Sequence, residues 1–195
     1  MSQFTHLHVA SAFSGHYGVT RPELLAEAAL AQGSDALAVT DRDGLYGAVK
    51  HIGACISLGI SPIVGVSLEV VDDSDEPLAR VIVLARGRDA GIGWATLCAI
   101  VSAAHGYDVA NVDDRGKKLA RSKSERIAIR RGDLARIIAE SLGACTVLIG
   151  NDSDVGRSVL SGSRDEAMQL LQPWQVRHEF ATPTQSLRRQ TSVPL

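Results

Sequence analysis

The chain has 195 residues, enough for one domain with a sizeable core. Aromatic residues make up only 4% of it against 45% hydrophobic overall, so Ala, Val, Leu and Ile must build the interior, which suits a layered α/β protein better than a β-sandwich. A net charge of −2 supplies no global attraction to nucleic acid or anionic membrane, and no segment approaches the ~18 uninterrupted apolar residues of a membrane span.

The opening MSQFTHLHVASAFSGHYG lacks a basic stretch followed by an apolar run, so no secretory signal is predicted. Phe4 to Ala10 reads as a short strand, and the Ser/Gly-rich stretch to Gly18 as a loop. Thr20 is the predicted N-cap of a helix with Pro22 in its first turn and Glu23 reaching back. Leu24, Leu25, Ala28, Ala29 and Ala31 form its apolar face, and Gly33 stops it. Ala36 to Thr40 is an apolar run too short for a helix, hence a buried strand. Asp43-Gly44 turns the chain into a helix over Ala48 to Leu58, which Gly59 ends, and a strand lies within Ile60 to Val71. A strand over Arg80 to Ala85 and a helix from Gly93 to Ala104 follow, an alternation that predicts parallel βα units.

Between Gly106 and Arg131 the pattern lapses, and residues 117–131 are rich in Lys and Arg without aromatic interleaving. That composition fits a solvated loop better than a base-stacking surface. Regularity returns with a helix from Asp133, its predicted N-cap, to Leu142, and a strand from Cys145 to Gly150. Asp152-Ser153 cap a short helix, and another runs from Arg164 to Leu171 before Pro173-Trp174. These elements define a domain over residues 1–181, with residues 182–195 expected to form a disordered tail. Cys55, Cys98 and Cys145 are scattered without a CxxC pair, which predicts reduced, buried thiols in a cytoplasmic protein.

His6-Leu7-His8 is the strongest local signal for chemistry. On a strand, residues i and i+2 share a face, so both imidazoles would project together, and neutral imidazole is a common metal ligand. Asp41 ends a strand, the usual place for chemistry in parallel α/β folds. His16, His51 and His178 have no partner spacing and are placed on loops or the surface. Ser11 and Ser14 match no nucleophile elbow, and neither GxGxxG nor GxxxxGKS/T occurs.

Taken together, FTHLHVASAFS, LAVTDRDGLYGAVKHIGAC, GISPIVGVSLEV, VIVLARGRDAGIGWATLCAIVSAAH and TVLIGNDSDVGRSVLSGSRDEAM resemble the PHP domain that opens bacterial DNA polymerase III alpha subunits, in the error-prone, second-copy type. The resemblance covers residues 4–175. It implies a distorted, incomplete (β/α) TIM-like barrel whose strand ends ring a site for several metal ions, used in some members for 3′–5′ exonuclease or phosphoesterase work.

Against that resemblance the ligand set is eroded. His6 and His8 match the first ligand pair, Asp41 the strand-ending acid, and His105 a later ligand. An acidic ligand falls near Tyr17, a histidine on Arg42, a bridging glutamate on Ser67 with Glu69 displaced two residues on, a histidine on Arg80, and a cysteine-type ligand near Asn151. Arginine stays protonated, cannot ligate, and repels a dication. Arg42 and Arg80 are therefore expected to pair with Asp41 or neighbouring carboxylates and fill the former site.

Three readings follow. The chain is foremost a structural module, with no catalytic residue and no cofactor, partnered by a polymerase body or other replication and repair proteins. It meets DNA only indirectly, contacts no membrane, and an incomplete barrel predicts self-association. The alternative is a residual zinc- or manganese-dependent phosphoesterase or 3′–5′ exonuclease using His6, His8, Asp41 and His105. A third reading has residues 117–131 touching single-stranded DNA.

Overall fold

The computed structural model describes residues 4–87, 91–106, 126–141 and 143–175. After an extended opening segment, helix α1 (Pro22–Ala31) leads to strand β1 (Ala36–Arg42), helix α2 (Ala48–Leu58), and strands β2 (Ser61–Val71) and β3 (Pro77–Ala85). Helix α3 (Ile92–Ala104) and a short strand β4 (Ala128–Arg130) come next. Helix α4 (Arg131–Glu140), strand β5 (Cys145–Ile149) and helices α5 (Asp154–Leu160) and α6 (Arg164–Leu171) complete the order, before a 3-10 turn over Gln172–Trp174.

The sheet runs β1-β2-β3-β5, with β4 beside the far end of β2. β1 and β4 are parallel to β2, whereas β3 is antiparallel to both β2 and β5. The expected parallel succession therefore breaks after β2. Only residues 72–76 join β2 to β3, enough for a hairpin and too few for a crossover. Asp72 Oδ1 closes that hairpin by accepting from the Ser74 and Glu76 amides at 2.8 and 2.9 Å. Among the described residues β5 has no partner on its outer edge, so the fold is an open, mixed α/β sheet and the barrel is not closed.

Alternation along the strands sorts the side chains between two faces. Val66, Leu68 and Val70 of β2 line up with Ala79, Val81 and Val83 of β3, and α3 and α4 cover them with Leu97, Ile100, Leu134 and Ile138. Leu37 and Ile60 extend that side, and α1 and α2 cover them with Ala26, Ala29 and Cys55. Each fully buried Leu or Val here stabilises the fold by about 1.5–3 kcal/mol. The opposite face presents Thr40, Arg42, Gly65, Ser67, Glu69, Arg80 and Ile82, set side by side by the register Arg42↔Ser67 and Glu69↔Arg80.

Several local expectations need correction. Phe4–Ala10 is not a strand. It lies along β1 through two widely spaced backbone bonds, Ala38 N–H to His6 O at 3.0 Å and Thr40 N–H to Val9 O at 2.8 Å. Thr40 Oγ1 also accepts from the Val9 amide at 3.0 Å, and that side-chain bond stands where a ladder bond would run. The N-cap of α1 is Arg21 rather than Thr20, and that of α4 is Arg130 rather than Asp133, because α4 follows β4 with no intervening loop. Ser153 caps α5 as expected, accepting from the Gly156 amide at 2.8 Å. The tail from residue 182 lies outside the described residues, as do residues 117–125.

Candidate functional site at the strand ends

β1 ends in Thr40-Asp41-Arg42, and alternation sends Asp41 and Arg42 to opposite faces. Asp41 turns to the helix-covered side and is 1% exposed. Its Oδ1 accepts from the Ser11 amide and the Ser14 hydroxyl, both at 2.7 Å, and Oδ2 accepts from the Ser11 hydroxyl at 2.9 Å. Those hydroxyls in turn accept from the backbone of Phe13 and Arg42, at 3.2 and 3.0 Å. A Cβ on Gly47 would stand 2.4 Å from Oδ2, so the start of α2 closes the remaining side and only glycine fits there. Asp41 thus moors the Ser11–Gly18 loop to the sheet.

Arg42 projects the other way, its guanidinium carbon 3.6 Å from the centroid of the Tyr17 ring. Two positions at which the family resemblance expects ligands therefore cover each other as a cation–π pair. A second such pairing lies deeper. Arg80 Nη1 donates to Ser67 O at 3.0 Å and approaches Ser67 Oγ at 3.4 Å. The same nitrogen meets Asp43 Oδ1 at 3.0 Å, with the two side chains 19% and 26% exposed.

Asp43 is the hub of this group. It takes a left-handed backbone (φ 59°), which Asp tolerates better than most residues. Its amide donates to Ser67 O at 2.9 Å, and its carbonyl accepts from His105 Nε2 at 2.6 Å, which fixes the C-cap of α3 onto the β1–α2 turn. The sequence marked Asp43 only as a turn former. The clue was its place one residue after Arg42 in TDRDG, within reach of a second arginine on β3.

The other candidates stand apart. His6 and His8 are both exposed, and His6 packs edge-on against Phe4 at 4.8 Å between centroids. Glu69 holds Arg126 through two bonds of 2.8 and 2.6 Å. Asn151 is exposed ahead of α5. Among the described residues, no group of three or more His, Cys, Asp or Glu stands close enough to hold a metal ion.

His51, assigned to a loop or surface position from sequence, is instead fully buried in α2. Its Nε2 donates to Leu37 O at 3.0 Å, and the Cys55 thiol lies 3.7 Å from the ring. Burial pushes the imidazole pKa down, against the opposing pull of the Leu37 and Ile63 backbone and of Asp41. His16 is exposed with a left-handed backbone (φ 68°), and His178 lies outside the described residues. Cys55 and Cys145 are buried free thiols and Cys98 is half-buried, with burial raising the Cys145 pKa to about 11.

The PHP domain family matches residues 6–177, nearly the whole chain. The chain belongs to that family. This PHP domain is 37% identical over 107 residues to the error-prone DNA polymerase of Mycobacterium bovis, a match covering 52% of the chain and 10% of the polymerase. With the DNA polymerase III subunit alpha of Pseudomonas aeruginosa it shares 28% identity over 172 residues, 88% of the chain and 13% of that protein. The PHP domain thus spans about a tenth of the length of the relatives it matches. Among solved structures, an amidohydrolase from Chromobacterium violaceum overlays with a TM-score of 0.45 at 18% identity, over 85% of this chain and 74% of its own. No helix among the described residues is long and apolar enough to cross a membrane.

Proposed function

We propose that this PHP domain is a non-catalytic structural module of DNA replication or repair, of the error-prone polymerase type, in which the family's metal centre has degenerated. The observation that carries the reading is Arg80. Its guanidinium is bonded to Asp43 and Ser67 on the strand face, where the family resemblance calls for ligands. The donor set does not fit a cluster of divalent ions. Asp41 faces the other side with both oxygens engaged, His105 is bonded to a backbone carbonyl, and two guanidinium groups stand beside the place a dication would take. The phosphoesterase reading built on His6, His8, Asp41 and His105 asks four dispersed side chains to converge, and nothing in their contacts favours it.

Of the segment 117–131 in the DNA-contact reading only residues 126–131 are described, and there Arg126 is paired with Glu69 and Arg130 with Asp75. On this reading the chain works in the cytoplasm, takes its place beside a polymerase body or other replication and repair proteins, and needs no cofactor. The outer edge of β5, unpaired among the described residues, is the feature that supports self-association when such a partner is missing.

The test is elemental analysis together with thermal melts in added manganese or zinc, beside an Arg42→His/Arg80→His double variant. The expected result is no stoichiometric metal and an unshifted melting temperature in the unmutated chain. One equivalent of metal, lost on His8→Ala, would overturn the reading and restore the phosphoesterase.

A further inference from the structure

We infer that the rim around the former metal site is a docking face for an acidic protein surface. The inference rests on the structural-module reading. The rim is built from the Ser11–Gly18 loop and the start of α2, which share the Asp41 anchor: a Cβ on Gly47 would touch both Asp41 and the Phe13 ring. On this anchored base Tyr17 and Tyr46 are 63% and 64% exposed, and Val19 is 95% exposed. A chain so poor in aromatics gains nothing for its core by holding rings in water. Rings held there by a moored loop are preorganised for contact.

Charge identifies the occupant. Lys50 stands 5.5 Å from the Phe13 ring centroid and Arg42 lies over Tyr17, and among the described residues neither cation forms an ion pair. Residues 1–22 and 44–68 contain no Asp or Glu at all, although the chain as a whole is acidic. The carboxylate at the base of the rim, Asp41, is buried and Asp43 is paired with Arg80, so the rim offers exposed rings flanked by cations, complementary to a protein surface that brings carboxylates around an apolar contact. Exposed Tyr beside Arg is also the composition of interface hot spots. A single-stranded nucleic acid fits less well. The Tyr17 ring that would stack a base already carries a guanidinium, and Val19 offers no stacking surface.

The experiment places the photoreactive residue p-benzoylphenylalanine at Tyr46 in the chain expressed in its own cells, with Trp94 on α3 as the control position, and maps each adduct by mass spectrometry. The expected adduct at Tyr46 is to a protein segment of net negative charge. It should be absent at Trp94, and Lys50→Glu alone or with Arg42→Glu should cut it, about tenfold for the pair, in variants that still melt as folded chains. An adduct to nucleic acid, to a neutral or basic segment, or to a second copy of the chain would overturn the proposal, as would no adduct. Metal content measured on the same preparation separates the two readings. A metal-free chain without the adduct sinks the docking face alone, whereas stoichiometric metal sinks the module reading.

Discussion

Asp41 and Asp43 stand two residues apart at the end of β1, and they do opposite work. Asp41 is buried and held by neutral donors, two serine hydroxyls and a backbone amide from a loop some 30 residues upstream. Asp43 is partly exposed and faces a cation, while its own backbone carries the other bonds of its network. Burial makes the first a structural post whose loss strands several donors. Exposure makes the second a charge partner whose loss water can partly repair. Both carboxylates are committed, one to a loop and the other to an arginine.

The largest expected effect follows from that contrast. Asp41→Ala should destabilise the fold by about 3 kcal/mol or more, since it leaves the Ser11 amide and two hydroxyls buried without their acceptor. Asp41→Asn, which keeps one acceptor oxygen, should cost less. Chemical denaturation measures both, and a loss under about 1 kcal/mol for the alanine variant would remove the post from the account. Next in size is Gly47→Ala. Its new methyl would meet Asp41 Oδ2 at 2.4 Å and Ser11 Oγ at 3.0 Å, an overpacking worth about 1–3 kcal/mol. If the variant melts with the parent chain, the closure of that side is looser than the geometry indicates.

Where the determinants were local, the sequence was readable. The helix over Ala48–Leu58 ends at Gly59 in a left-handed conformation (φ 74°), and both its boundaries were legible in the chain. The apolar runs that became β1, β2 and β5 were legible for the same reason. What escaped was pairing at a distance. Ser11 and Ser14 looked like failed nucleophiles until Asp41 was seen between them, because nothing local shows that a loop will fold back onto a strand. The antiparallel turn after β2 was hidden by a strand–helix rhythm that resumed on either side of it. The arginines at 42 and 80 were legible as substitutions; of the carboxylates expected beside them Arg80 meets Asp43, whereas Arg42 lies over the Tyr17 ring.

His51 sharpens the contrast from inside the helix layer, beside Asp41. Above about pH 6.5 the imidazole is neutral in both folded and unfolded chains, so the linkage contributes nothing. Below it the unfolded chain takes up a proton that the buried ring resists, because burial lowers the native pKa. Stability should therefore fall as the pH drops through this window, and level off for this group once the native pKa is passed. His51→Gln keeps a donor for Leu37 O and should flatten that slope in melts between pH 7 and pH 5. The exposed His6, His8 and His16 remain in the variant and set the comparison. An unchanged slope would mean that the acid sensitivity lies elsewhere.

The smallest effect belongs to Arg80 and Asp43, and it is the one that tests whether the strand face is held by charge. Their side chains are about one-fifth and one-quarter exposed, so water screens the pair, and a coupling of about 1 kcal/mol is expected rather than the several of a sealed ion pair. The cycle should combine Arg80→Met, which keeps most of the aliphatic stem, with Asp43→Asn. Asparagine accepts the left-handed backbone at this position and leaves the bonds from Asp43 N–H and O in place, whereas alanine would add strain unrelated to charge. The coupling should shrink as salt is raised, because a partly exposed pair loses attraction as the screening length shortens. The loss in Asp41→Ala rests on buried hydrogen bonds from neutral donors and should hardly respond to salt. A coupling near zero would demote Arg80 from a charge-paired plug to a side chain packed by its stem. A coupling as large as the loss in Asp41→Ala would erase the distinction between the two aspartates.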